Sequence, residues 1–109
     1  MSWKIFYYSE AVRQWVDDLP VGLRAYYARI AERMMKYGPY LGMPYVRSLG
    51  KGLYEIRAIG KEGIARVFFG AESKQIVILH GFVKKTDKTP KREMDIARRR
   101  LKECKNENA

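Results

Sequence analysis

The alternation of apolar and polar positions changes period several times along the chain, and each change marks an element. Trp3, Ile5 and Tyr7 alternate with Lys4, Phe6 and Tyr8, which predicts a strand over residues 3–8. Ser9 then suits the N-cap of a helix running to Leu19, with Ala11, Val12, Trp15, Val16 and Leu19 on one face. Pro20 ends it. A second helix is expected from Val21 to Tyr37, its stripe formed by Leu23, Tyr26 or Tyr27, Ile30, Met34 and Tyr37 at three- and four-residue steps, and stopped by Gly38-Pro39. With almost no linker between them, the two helices are expected to form an antiparallel hairpin.

Residues 40–48, with Gly42 and Pro44, read as a loop. Three β-like runs follow, Leu53–Ile59, Ile64–Gly70 and Gln75–Val83, separated by Gly60-Lys61-Glu62-Gly63 and Ala71-Glu72-Ser73-Lys74. These spacings predict an antiparallel meander. After the polar stretch from Lys84 to Lys88, Thr89 and Pro90 suit the cap and first position of a last helix, whose narrow apolar stripe is Met94, Ala97 and Leu101. The order β-α-α-β-β-β-α is that of an α+β protein. It predicts a small antiparallel sheet with the N-terminal helical hairpin packed on one face, and a C-terminal helix. No repeat or boundary divides residues 1–109, so one domain is expected.

Charge sharpens this picture. The 109 residues carry 22 Lys and Arg against 12 Asp and Glu, a formal net charge of +10 with a pI near 9.9. Such an excess attracts polyanions and speeds their capture. Neither a secretory leader, a lipidation motif nor an apolar run long enough to span a bilayer is evident, so no membrane partner is expected. Cys104 is the single cysteine, which fits a reducing, cytoplasmic setting.

Several chemistries lack the residues they need. One His, one Cys and no carboxylates at ligand spacing leave nothing for zinc or a metal pair, so no metal is expected. Gly50-Lys51-Gly52 lacks the rest of a P-loop, and no dinucleotide or other small-molecule cofactor motif is present. One constellation stands out. A hairpin around Gly60–Gly63 places Arg57 directly across from Arg66 on one face, with Glu55 diagonal to Arg66 and opposite Phe68. Facing like charges destabilise a sheet. Such a pair requires either a neutralising acid, which makes it an ion-pair cluster with Glu55, or an anion, which makes it a phosphate cradle. Lys84 and Lys85 bring more charge to the rim, and the turn length leaves open which of them points inward.

Three stretches carry a resemblance: Arg47-Ser48-Leu49-Gly50-Lys51-Gly52-Leu53-Tyr54-Glu55-Ile56-Arg57, then Ala65-Arg66-Val67-Phe68-Phe69, then Ile78-Leu79-His80-Gly81-Phe82-Val83-Lys84-Lys85-Thr86-Asp87-Lys88-Thr89-Pro90. Together they resemble the RelE/HigB superfamily of type II toxins, in its phage-derived HigB-like branch, over about residues 3–103. The resemblance implies a RelE-like fold and a metal-independent endoribonuclease that cleaves mRNA on translating ribosomes. It also implies a partner antitoxin with a helix-turn-helix domain (HigA-like). By the same resemblance Arg66 matches the arginine that contacts the scissile phosphate, Arg57 a neighbouring basic position, and Lys84 or Lys85 the basic residue that ends the last strand. Relatives often carry a tyrosine or histidine just beyond; here Thr86-Asp87-Lys88-Thr89-Pro90 offers neither.

Metal-free RNA cleavage uses the 2′-hydroxyl as nucleophile, so a proton must leave it, the phosphorane charge must be stabilised and the 5′-oxygen must be protonated. Arg57, Arg66 and a lysine suit the second task. His80 and Glu55 are the candidates for the first, set against a core histidine bonded to backbone and an ion-pair partner for the arginines. Lys91, Arg92, Arg98, Arg99, Arg100 and Lys102 make the last helix basic; Lys88 just before it, Lys91, Arg92, Arg98, Arg99 and Arg100 are candidate RNA contacts, with Arg98, Arg99 and Arg100 held away from the sheet in the expected fold. The competing reading is a basic RNA- or DNA-binding module that does not cut.

Overall fold

The computed structural model describes residues 2–84 and 90–107. Its elements are β1 (Lys4–Tyr7), α1 (Glu10–Asp17), α2 (Val21–Tyr37), β2 (Val46–Gly50), β3 (Leu53–Gly60), β4 (Gly63–Glu72), β5 (Gln75–Lys84) and α3 (Lys91–Glu107). The class is α+β, as expected, but the sheet is mixed and has five strands in the order β1-β5-β4-β3-β2. The expected all-antiparallel sheet is corrected at β1, which pairs in parallel with β5 from Lys4↔Gln75 to Tyr7↔Ile78. No local pattern encodes that pairing, because the partners lie far apart in the chain.

The stretch read as a loop, residues 40–48, contains the start of β2. Val46 is buried toward α2 and Leu49 packs toward α3. A register shift between Ser48 and Gly50 breaks the two-residue period that would have marked the strand. The β3–β4 and β4–β5 hairpins formed as expected. Gly60 pairs with Gly63, and Glu72 with Gln75, leaving two-residue turns. In the second, Ser73 and Lys74 both have positive φ, 52° and 66°, which matches the twist of the flanking strands.

The sheet is covered on both faces. Ser9 caps α1, its hydroxyl accepting from the Val12 amide at 3.2 Å. Val12, Val16 and Leu19 are buried, whereas Ala11 is exposed. From α2, Leu23, Tyr27, Ile30, Ala31 and Met34 are buried against Ile56, Ala58, Val67 and Phe69. Tyr27, not Tyr26, takes the core position, and Tyr37 is 71% exposed. Both N-terminal helices lie on one face of the sheet, as expected, and share one buried cluster: α1 packs chiefly on β5 and β1, and α2 on β3, β1 and β4.

The C-terminal helix lies on the opposite face. There Leu53, Phe68, Leu79, Ala97 and Leu101 form a second core. A Cβ on Gly70 would stand 2.5 Å from Leu101 Cδ1, so glycine permits the close approach of α3. Thr89 lies outside the described residues, and Pro90 immediately precedes α3. The helix is held by polar staples as well: Arg98 donates to the Leu49 carbonyl at 2.7 Å and the Gly50 carbonyl at 3.3 Å, and Arg100 to the Leu79 carbonyl at 2.8 Å. The expectation that Arg98, Arg99 and Arg100 stand away from the sheet is therefore corrected for Arg98 and Arg100. No helix among the described residues is long and apolar enough to cross a membrane.

Candidate nucleic-acid interface

Register builds the site in rows across the α3 face of the sheet. Arg47 pairs with Glu55, Glu55 with Phe68 and Phe68 with His80. The next row is Arg57, Arg66 and Phe82; the one beyond is Ile59, Ile64 and Lys84. The two-residue turn at Lys61-Glu62 propagates this register, so the facing arginines arise as the sequence indicated. Strand alternation from Phe82 places Lys84, exposed, on the arginine face. Lys85 and Lys88 lie outside the described residues.

His80 joins this face through a bulge. Phe69 pairs with Ile78 and Phe68 with His80, so Leu79 is the extra residue. Without it, simple alternation from Ile78 would turn His80 toward α1 and α2. With it, Leu79 packs on α3 and His80 stacks parallel to Phe68, ring centroids 6.2 Å apart and 5° between planes. His80 Nε2 lies 2.7 Å from Glu93 Oε1 on the first turn of α3. Its partner is thus a side chain and not the backbone, and the pair stays partly open to solvent at the edge of β5.

The arginine row has a buried acid beside it. Glu55 is 0% exposed and Arg66 1%; Arg66 Nη1 donates to Glu55 Oε1 at 3.0 Å. Arg47 Nη2 donates to the same oxygen, also at 3.0 Å, with its side chain 41% exposed. The neutralising acid is therefore present, and Arg66 is enclosed, not presented to solvent. Arg57 is half-buried. Where α3 ends its coverage, Arg57, Ile59, Ile64, Phe82 and Lys84 form the more open part of the face. Among the described residues, Arg47, Arg57, Arg66 and Lys84 oppose the single carboxylate of Glu55 in these rows, so the face remains positive. An apolar floor with a cationic rim of this kind binds anions that also present flat apolar groups.

The basic helix is dispersed in role. Lys91 is exposed and 3.9 Å from Asp95. Arg92 and Arg99 are exposed. Arg98 and Arg100 spend guanidinium donors on sheet carbonyls, and Arg100 also stacks over Tyr8 at 4.7 Å from the ring centroid. Tyr8 donates to Glu103, and that hydrogen bond to a carboxylate is the main reason its phenol is pushed above its usual range. Arg47 and Glu93 were missed by the sequence reading. Arg47 becomes visible only once β2 is recognised, and Glu93 only once α3 is docked. No group of three or more His, Cys, Asp or Glu side chains suited to a metal occurs among the described residues.

These features define a basic α+β protein with a paired-arginine sheet face and a helix closing half of it. The chain belongs to the phage-derived protein Gp49-like family (DUF891), whose model matches residues 14–102, a family associated with RelE/HigB-like toxins. No curated protein matches the chain.

Proposed function

We propose that this protein is the toxin of a type II toxin–antitoxin pair, a RelE-like, HigB-like endoribonuclease that cuts mRNA on the ribosome without a metal and is silenced in the cytoplasm by a helix-turn-helix antitoxin. The observation that carries the reading is the direct pairing of Arg57 with Arg66 beside buried Glu55. Arg57 and Lys84, at the open part of the face, receive the phosphate. Glu55 fixes Arg66 behind them, where its charge lies in a low-dielectric setting and adds to the stabilisation of a phosphorane. His80, oriented by Glu93, is the group placed to move a proton.

The burial of Arg66 favours a second reading, a face that binds RNA without cutting, since an enclosed guanidinium is poorly placed to follow charge onto a reacting oxygen. Primer extension on a translated mRNA after induction separates the two. Discrete cuts within the reading frame, lost in Arg57→Ala and in His80→Gln, support the toxin. Growth arrest and RNA retention with no cuts would leave the binding module. Rescue of growth by the co-expressed operon neighbour tests the antitoxin.

A further inference from the structure

A second basic surface lies on the other side of the molecule. α2 packs on the face of the sheet opposite Arg57 and Arg66, through Leu23, Tyr27, Ile30 and Met34. Beside that buried stripe, Tyr26, Arg29, Ile30 and Arg33 line a cleft of about 190 Å³ with Tyr45, which precedes β2. The Arg29 guanidinium stands over Tyr26, 5.6 Å from the ring centroid, and Arg33 over Tyr45 at 5.5 Å. Each exposed cation is thereby held on a half-buried ring.

These two arginines are like charges one helical turn apart, an arrangement that destabilises a helix unless something neutralises it. Among the described residues nothing does. Neither guanidinium forms a salt bridge, and Glu32, a turn from both Arg29 and Lys36, pairs with neither. A guanidinium lying on a ring still presents its in-plane N–H fork at its edge, the geometry that takes a carboxylate with two parallel hydrogen bonds. Arg29 and Arg33 are about 6 Å apart along the helix axis.

We propose that this cleft docks an acidic protein segment carrying two carboxylates spaced about 6 Å apart, as Glu side chains one turn apart on a helix are. An aliphatic side chain between them would rest on Ile30 at the floor. A polypeptide fits better than RNA for two reasons. Each tyrosine already has one face covered by a guanidinium, which removes that face as a base-stacking platform. The surroundings also add Tyr37, 71% exposed and one turn on from Arg33, a residue type that with Arg is enriched at protein interfaces. The site is independent of whatever the arginine face of the sheet binds.

The test uses the full chain and three fluorescent probes. They are a capped Leu/Ala helical peptide with Glu pairs at i, i+4, the same peptide with Gln for Glu, and a single-stranded RNA oligonucleotide. The Glu peptide is expected to bind saturably and to shift the Nε–H resonances of Arg29 and Arg33. Its affinity should fall at least tenfold with Gln for Glu, and at least tenfold again in the exposed-site variant Arg29→Gln/Arg33→Gln, whose fold is checked by circular dichroism. RNA affinity should be unchanged by that variant. Glu-peptide binding that is absent, or that survives the double substitution, overturns the proposal. So does a tenfold loss of RNA binding in its place, which would make the cleft a nucleic-acid site.

Discussion

Replacing Glu55 by glutamine tests whether its charge is what allows Arg66 to be buried. The substitution keeps the shape and one acceptor oxygen and removes the counter-charge from a guanidinium that is 1% exposed and 3.0 Å from Oε1. Two unit charges about 4 Å apart attract by about 4 kcal/mol at an effective dielectric near 20. Removing one member of a buried pair costs about 3–5 kcal/mol, because the other remains desolvated and unneutralised. Arg47 shares the same oxygen, but its side chain is 41% exposed and regains water, so its own loss adds little. The low end, about 3 kcal/mol, is the expectation. A chain of 109 residues unfolds with an entropy of about 0.23 kcal/mol/K, so Tm should fall by roughly 13 °C. Urea unfolding followed by circular dichroism gives the free energy directly. Arg66→Met and the double variant complete a cycle, in which the double change should cost less than the sum of the singles by at least about 1 kcal/mol. A loss below about 1 kcal/mol for Glu55→Gln, with an unchanged denaturant slope, would refute the reasoning. Arg66 would then be buried for reasons other than its carboxylate.

Four further outcomes follow from particular contacts. A Cβ at Gly81 would stand 2.3 Å from Trp15 Cζ3, so Gly81→Ala should cost about 1–3 kcal/mol by overpacking and be relieved by Trp15→Leu; an unchanged melting curve would show that α1 yields freely. Arg98→Ala should lower stability by about 1–3 kcal/mol through loss of its bonds to the Leu49 and Gly50 carbonyls, whereas Arg99→Ala should leave it unchanged, and equal effects would contradict their different roles. Arg57→Ala should weaken single-stranded RNA binding and reduce the salt slope by about 0.7, measured by filter binding across a salt series; an unaltered slope removes Arg57 from the phosphate contacts. Tyr8 should ionise above the ordinary tyrosine range, and Glu103→Gln should lower its titration point in ultraviolet absorbance. Because the folded-state value is raised, the stabilisation is full below the unfolded pKa of about 10 and is lost as pH rises through the folded one.

Local signals carried much of this fold. Ser9 and Pro20 bracket the first helix, the three- and four-residue steps from Leu23 to Met34 mark the second, and Gly60 and Gly63 define a two-residue turn. That turn sets the register of β3 on β4, so the Arg57–Arg66 pairing and the position of Glu55 were legible from residue types alone. A hairpin transmits register from its turn along both strands, and side chains alternate with a period of two, so a local motif determines which residues meet several positions away.

Other features depended on parts of the chain that meet only after folding. The parallel seam of β1 on β5 joins distant segments, and β2 was obscured by a register shift that erased its alternation. The bulge at Leu79 moved His80 to the arginine face, where it met Glu93, because one inserted residue reverses the facing of everything beyond it. The docking of α3 decided the rest. By covering the Leu53–Phe68–Leu79 half of the sheet it committed Arg98 and Arg100 to backbone carbonyls, and on the same face Glu55 and Arg66 are out of solvent. Whether a charge is hydrated depends on what packs over it, and strand period and turn chemistry specify a side chain's face without specifying its cover.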